Sequence, residues 1–242
     1  MNQKLIGIVV TAFSCCAQTA SLGPGFAGSD ISEIISGLNS SKDKWKKSEF
    51  EKATEYAARV KGPSDPQLLR FVLSGNTNES WIDFAYNAES QTMSMTLRGL
   101  WCERLWSEDG KPDVCYVTLI SKLRSSREYT AINSIGANVV VKERIIEDYG
   151  LALDSSNVAG LHAHSPTFSW KMDSDEARAK KQFLRAALYC RQVQLRLYDD
   201  VRGKEPTLDN PYNITHELFL VPVRAESLVV FDSRTGSVMA QF

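Results

Sequence analysis

The sequence predicts an α+β fold in which two amphipathic helices pack on a mainly antiparallel β-sheet or a partly closed barrel. Three observations support this prediction. About ten short segments have the alternation or the β-branched and aromatic content of strands. Two stretches combine helix-capping residues with apolar residues spaced for a helix. The regular alternation of strand and helix that a parallel doubly wound sheet needs is missing.

The composition is that of an ordinary globular protein. The chain has 242 residues, of which 43% are hydrophobic and 24% are charged, and its formal net charge is −1. The densest basic cluster, KDKWKK at 42–47, is short and begins a helical segment. Without a long basic run there is no footprint for a polyanion, so we expect no nucleic-acid partner.

The first 17 residues have the pattern of a secretory signal peptide. Lys4 precedes the uncharged run from Leu5 to Phe13, and small residues follow. A run this short cannot cross a bilayer, which needs about 20 apolar residues, so no transmembrane helix is expected. Cleavage after Ala17 satisfies the small-residue requirement. We therefore expect an exported protein of bacterial type, periplasmic, envelope-associated or extracellular.

A lipid anchor is the alternative to release as a soluble protein. It would attach at Cys15, as in a bacterial lipoprotein. Ala12, Phe13 and Ser14 precede Cys15, so the usual Leu is missing and Phe13 is too large for a small-residue position. The sequence favours release but leaves the anchor open.

Residues 18–29 are predicted to form a flexible tether, and 30–242 a single α+β domain. SLGPGFAGS at 21–29 is rich in Gly, Pro and Ser, which is typical of a linker. The segment that follows, DISEIISGL at 30–38, predicts a short helix capped by Asp30, because Glu33 completes a capping box.

Two longer helices are predicted. In the first, Ser48 and Glu51 form a capping box, Gly62 ends the helix, and an apolar stripe runs along it at Phe50, Ala53, Ala57 and Val60. The second covers 173–190, with Asp173 as its cap, acidic residues in its first turn and basic residues later.

Strand patterns occupy most of the remaining chain. In TMSMTLRGLW the apolar residues Met93, Met95 and Leu97 alternate with polar ones. Gly136 and Gly150 suggest bulges or bends within the later strands. The predicted strands lie at 68–74, 81–87, 92–101, 114–121, 128–143, 148–153, 159–172, 191–200, 216–225, 227–233 and 237–242.

Three cysteines lie beyond the leader. Cys102 and Cys115 flank a segment that contains Asp109-Gly110, a strong hairpin turn signal. Antiparallel neighbours across such a turn come within disulfide reach, and an exported protein meets oxidising conditions. We predict a Cys102–Cys115 disulfide, and we interpret Cys190 as a small buried apolar side chain.

The pattern His-x-His is the clearest candidate for metal chemistry. On a strand, His162 and His164 project from the same face and could hold one divalent metal ion, with His216 as a third ligand. The alternative is a pair of exposed histidines without a ligand. We find no nucleophile elbow, no calcium-loop spacing and no other catalytic signature, so catalytic residues are not assigned.

Tryptophans give a second candidate surface. Trp101 and Trp106 lie in one arm of the predicted hairpin, and their odd separation places them on opposite faces of a regular strand. An exposed Trp could bind a peptide or a glycan. We therefore expect a protein that acts by non-covalent binding or assembly with a protein or glycan of the envelope. A metal-binding protein or metal-dependent enzyme centred on the histidines is the alternative.

The leader prediction is tested by the intact mass of the protein isolated from its own host. We expect a mature chain that begins at Gln18, because Ala17 and Cys15 fit the positions before a cleavage site. Acyl chains on Cys15 would establish the lipoprotein alternative instead. An unprocessed chain that begins at Met1 would contradict export.

Overall fold

Two β-sheets and three short α-helices make up the described part of the chain. The computed structural model describes residues 10–11, 21–41, 44, 46–62, 66–73, 82–98, 101–103, 114–132, 136–161, 165–204, 206–207 and 211–242. The helices are α1 (Ile31–Ser40), α2 (Ala53–Val60) and α3 (Ser174–Lys180). The strands are β1 (Val10–Thr11), β2 (Leu68–Leu73), β3 (Ile82–Asn87), β4 (Thr92–Leu97), β5 (Trp101–Glu103), β6 (Val114–Ile132), β7 (Asn138–Ser156), β8 (Thr167–Lys171), β9 (Leu184–Gln192), β10 (Tyr198–Lys204), β11 (Tyr212–Asp232) and β12 (Val238–Gln241).

The smaller sheet has the order β1-β8-β4-β3, and the larger one has the order β2-β9-β11-β7-β6-β5. β10 and β12 also pair with β11, and the larger sheet curls into a half-barrel. Most of the pairings are antiparallel; β7 with β11 and β1 with β8 are parallel. The predicted α+β class and the mainly antiparallel sheet are confirmed.

One apolar core lies between the two sheets. On β4, Met93, Met95 and Leu97 are buried, as the alternation in the sequence predicts. They share a core with Phe168 and Trp170 of β8 and with residues of the larger sheet such as Leu151, Leu188 and Val230. Burial of each large apolar side chain contributes about 1.5–3 kcal/mol, so this shared core holds the sheets together.

α1 agrees with the helix predicted at 30–38, whereas α2 is shorter than predicted. α1 begins as expected, because the Asp30 carboxylate accepts a hydrogen bond from the Ser32 amide at 2.7 Å. The Ser48 amide donates to the Glu51 carboxylate at 3.3 Å, but this forms a turn before α2 rather than its first turn. Of the predicted stripe Val60 is buried, whereas Phe50 is 88% exposed.

The predicted helix over 173–190 is wrong in its second half. Asp173 does cap α3, but a 3₁₀ turn follows at 181–183, and Leu184–Gln192 form β9. β9 pairs with β2 on one side and β11 on the other. A short apolar run that is buried on both faces has no clear period, so the sequence could not distinguish a helix from a central strand there.

The predicted strand over 191–200 is interrupted, because residues 193–197 belong to neither β9 nor β10. The chain leaves β9 at Gln192 and turns to meet the end of α2, where the Leu195 amide donates to the Val60 carbonyl at 3.0 Å. The Gly62 amide donates to the Val193 carbonyl at 2.9 Å. A Cβ on Gly62 would lie 2.9 Å from Val193 backbone atoms, so this close contact requires glycine.

β6 and β7 form a long hairpin whose outer part we call the arm, comprising residues 121–132 and 138–147. Each strand has 19 residues, several times the usual 5–6. Residues 121–130 are all exposed. The pairing contains two register shifts, one after Thr118 and one after Leu123. Gly150 lies beside the first shift, and a Cβ there would lie 2.2 Å from the Val117 carbonyl oxygen.

The segment before α1 is hydrogen-bonded to the domain. The Leu22 amide donates to the Gly236 carbonyl at 2.9 Å, and the Ser29 amide donates to the Arg70 carbonyl at 2.6 Å. The Phe26 ring lies edge-on to Phe231 at 5.9 Å. Residues 21–29, the described part of the predicted tether, therefore run along β2 and the turn between β11 and β12. No helix among the described residues has the length and apolar character needed to cross a membrane.

β5 places the predicted disulfide partners opposite each other. Cys102 pairs directly with Cys115 across the antiparallel β5–β6 ladder. Directly opposed residues of such a ladder have Cα atoms about 4.5–5.5 Å apart, which lies within the range of disulfides. Cys190 is a free, buried cysteine, and burial raises the pKa of its thiol.

The disulfide prediction is tested by counting thiols in the denatured mature protein. We expect one free thiol, Cys190, before reduction and three after it. Cys102→Ser should lower the free energy of unfolding by about 2–3 kcal/mol, because a crosslink of this loop size restricts the unfolded chain. Three free thiols before reduction would contradict the bridge.

Candidate functional site

The larger sheet has one face toward the core and one face away from it. Along β7, Leu151 and Leu153 point into the core, so Asp148 and the other even-numbered residues lie on the opposite side. We call this side the outer face. Cross-strand register places Ser121 of β6 and Leu218 of β11 on it as the direct neighbours of Asp148.

A buried carboxylate joins three strands on the outer face. Asp148 is only 6% exposed, and both of its oxygens accept hydrogen bonds. The Ser121 hydroxyl donates to Oδ1 at 2.5 Å, and His216 Nδ1 lies 2.7 Å from Oδ2. These two bonds satisfy a group that would otherwise be costly to bury.

The carboxylate fixes the orientation and the tautomer of His216. A carboxylate only accepts hydrogen bonds, so Nδ1 carries the proton, and Nε2 of a neutral ring is left as the basic nitrogen. The His216 side chain is 43% exposed, so the ring borders solvent. This arrangement can accept a proton from a bound molecule or place one nitrogen on a metal ion.

The three side chains do not form a hydrolytic triad. In a triad the serine hydroxyl contacts the histidine nitrogen remote from the carboxylate. Here the Ser121 hydroxyl and the His216 ring both bond to Asp148, at different oxygens. Ser121 is therefore a partner of the carboxylate, and among the described residues no histidine nitrogen bonds to its hydroxyl.

A second polar group lies beside His216. Arg202 of β10 pairs directly with His216 across the ladder. Its guanidinium donates to Asp200 at 3.1 Å and to the Tyr116 hydroxyl at 2.8 Å, and it lies 5.2 Å from the centre of the Tyr116 ring. The outer face thus carries two neighbouring polar groups, one around Asp148 and one around Arg202, at the level where the arm meets the core.

Beyond these polar groups, the arm exposes large apolar side chains on the same outer face. Ile132 pairs with Asn138, Leu123 with Ile146, and Tyr212 with Lys142, so all lie on the side of the even-numbered β7 residues. We call the four exposed side chains the apolar ridge: Leu123 is 60% exposed, Ile132 73%, Val140 53% and Tyr212 37%.

The structure describes some of the sequence-predicted site residues and not others. His162, His164, Cys15 and Trp106 lie outside the described residues, so the His-x-His site stays a prediction. His216 Nδ1 bonds to Asp148, and the described residues contain no group of three or more His, Cys, Asp or Glu side chains placed to hold a metal ion. Trp101 lies opposite Tyr116 in the β5–β6 ladder.

Sequence reasoning missed Ser121 and Asp148. The sequence did offer one signal for Asp148. It is a carboxylate within the strand pattern around IIEDYGL, on the same face as Gly150 and Ala152. Its partners could not be found that way, because His216 is 68 positions away from Asp148. The register between β7 and β11 brings them together.

Comparison of the chain with protein-family models, with curated proteins and with solved structures gives no match. Functional conclusions therefore depend on the geometry of the described residues.

The role of Asp148 is tested by Asp148→Ala. Removing the carboxylate leaves the Ser121 hydroxyl without its acceptor, so we expect the free energy of unfolding to fall by about 1–3 kcal/mol, measured by urea denaturation. Asp83→Ala is the matched control, because Asp83 pairs with Arg98 on an exposed surface. This substitution should change the free energy of unfolding by less than about 0.5 kcal/mol. Equal effects of both substitutions would contradict a supporting role for Asp148.

Proposed function

We propose that this is an exported protein that binds a partner protein of the cell envelope non-covalently through the apolar ridge of the arm. The observation that carries the proposal is the exposure of Leu123, Ile132, Val140 and Tyr212 on one face of a projecting β-hairpin. Ile132, Val140 and Tyr212 occupy successive positions on this face, and Leu123 lies nearer the core, beyond the Glu128–Lys142 pair. Several exposed apolar side chains on one face commonly mark sites of interaction, whereas single ones are ordinary.

Ion pairs along the arm support a preformed binding surface. Arg124 donates to Glu217 at 2.6 Å, and Lys142 lies 3.3 Å from Glu128; Arg127 pairs with Glu143. Pairs of this kind contribute little stability when they are exposed, but they connect β6, β7 and β11 in one orientation. A rigid ridge loses less conformational entropy on binding than a flexible loop does.

The chemistry of the ridge favours a protein over a glycan. Three of its four side chains are aliphatic and have no group that can bond to sugar hydroxyls. Burial of aliphatic surface is the usual driving force where two proteins meet. Tyr212 has an aromatic face and a polar end, which suits the boundary between an apolar contact and water.

The face of the arm is better suited to binding than its edge. An open strand edge invites pairing with another chain, and natural proteins prevent this with bulges and charged residues. The outer part of β6 carries both, with a register shift between Leu123 and Ser125 and charged residues at Lys122, Arg124 and Arg127. These features disfavour strand addition at β6 and leave the apolar ridge as the contact.

The proposal is tested by photo-crosslinking in the native host. Val140 is replaced with a benzophenone amino acid, and Ser125 is replaced in parallel because it is an exposed arm residue paired with Ile145 on the opposite face. We expect an adduct of one defined mass from position 140 and none from position 125. Adding Leu123→Ser and Ile132→Ser should reduce the adduct at least about fivefold, since each lost apolar contact weakens binding.

Three results would overturn the proposal. Equal adducts from positions 125 and 140 would show that the crosslinks are not specific to the ridge. An adduct with twice the mass of the chain would identify a second copy instead of a partner. An adduct that survives both serine substitutions would show that the ridge does not supply the affinity. Circular dichroism of each variant checks that it is folded.

A further inference from the structure

A pocket with a volume of about 160 Å³ lies away from the arm, where α1, α2 and the connection between β9 and β10 meet. Its half-buried lining residues are Leu38, Tyr56, Arg196 and Leu197. Its exposed lining residues are Asn39, Lys46 and Asp199. A charged side chain in a concave, partly apolar site is the usual composition of a small-molecule pocket.

Arg196 is held in this pocket by neutral groups. Its Nη1 donates to the Tyr56 hydroxyl at 3.0 Å, and its Nε donates to the Gln194 side-chain oxygen at 3.2 Å. The guanidinium lies 5.6 Å from the centre of the Tyr56 ring and 5.7 Å from that of Tyr198. Within the described part of the chain it has no carboxylate partner. The protein therefore orients a cation without neutralising it.

The backbone around Arg196 is tied to α2. The Gly62 amide bonds to the Val193 carbonyl, and the Leu195 amide bonds to the Val60 carbonyl. These two bonds lie just before Arg196 in the chain and hold the segment between β9 and β10, to which Arg196 belongs, against the end of α2. Because Gly62 approaches the Val193 backbone without room for a Cβ, a larger residue at position 62 would push the two segments apart.

The other side of the pocket is held by Arg59. Its guanidinium forms two bonds to the Glu51 carboxylate, at 2.7 and 2.8 Å, and donates to the Lys46 carbonyl at 2.9 Å. The bond to Arg59 lowers the pKa of Glu51, so this pair stays ionised at neutral pH. The bond from Arg59 to the Lys46 carbonyl holds the Lys46 backbone beside the pocket.

We propose that this pocket binds a small organic carboxylate. A planar guanidinium with donors left over recognises a carboxylate through two parallel hydrogen bonds. The carboxylate of Asp199 lies in the same lining as Arg196 and would repel a phosphate dianion more strongly than a monoanion. This inference is independent of the ridge, because the two sites share no residue.

Size and lining restrict the rest of the ligand. An apolar cavity of about 150 Å³ holds a benzene ring, so a pocket of this volume accepts a ring or short branched chain beside the carboxylate. Leu38 and Leu197 supply apolar contacts for that part of the molecule. Benzoate has the required charge, shape and size and is the probe of choice.

Isothermal titration calorimetry of the purified protein with benzoate tests the proposal. We expect saturable 1:1 binding that weakens at least about tenfold for benzamide, which has the same shape but no charge. Arg196→Gln should weaken benzoate binding at least about tenfold, and Arg196→Lys should fail to restore it, because an ammonium cannot form the paired bonds. Arg178→Gln, at a guanidinium that is 82% exposed on α3, is the matched control and should leave it unchanged.

Tyr56→Phe tests whether the orientation of the Arg196 guanidinium contributes to binding, because it leaves the guanidinium itself in place. It removes the hydroxyl that accepts from Arg196 but keeps the ring, so we expect a smaller loss of about two- to fivefold. Equal binding of benzoate and benzamide, tighter binding of inorganic phosphate, or no change in Arg196→Gln would each overturn the proposal. So would the absence of benzoate binding to the folded wild-type protein. A thermal melt of each variant confirms that the fold is intact.

Discussion

Backbone hydrogen bonding of β11 is the constraint on which the core part of the larger sheet and the arm both depend. The first part of this 21-residue strand pairs with β7 on one side and β10 on the other, and its last part pairs with β9 and β12. Pro222 lies between the last residue paired with β10, Leu220, and the first paired with β9, Val223. Proline has no backbone N–H, so it is tolerated within a strand only where no ladder bond from that N–H is needed. Pro222 lies where β11 changes its partner from β10 to β9, which is such a position.

The arm follows from this continuity. Because β7 and β11 stay paired from Tyr212 to Ala225, the outer part of the hairpin continues the sheet of the core. Along β7 the outer face changes from buried Ala152 through buried Asp148 to exposed Val140. Asp148 marks the level at which the sheet leaves the core, and its bonds to Ser121 and His216 satisfy the polar groups at that boundary.

β10 connects the two sites discussed above. It begins with Tyr198, whose ring packs against Arg196 in the pocket, and continues to Arg202, which lies opposite His216 on the outer face. The pocket depends on the close contact between Gly62 and Val193, whereas the outer face depends on strand register. The two sites are therefore built by different interactions although one short strand takes part in both.

The sequence by itself determined the features that are local in the chain. It predicted the α+β class, the alternation of β4, the caps at Asp30 and Asp173, and a hairpin that brings Cys102 opposite Cys115, because each is set by residues a few positions apart. The pattern of the first 17 residues also predicts export. Tertiary structure decided that β9 is a strand, because pairing with β2 and β11 outweighed the local preference of an apolar run. It also decided both sites, since Asp148 and His216 are 68 positions apart and Tyr56 and Arg196 are 140 apart. Contacts at such separations depend on sheet register and on the packing of α2, and neither leaves a periodic signal in the sequence.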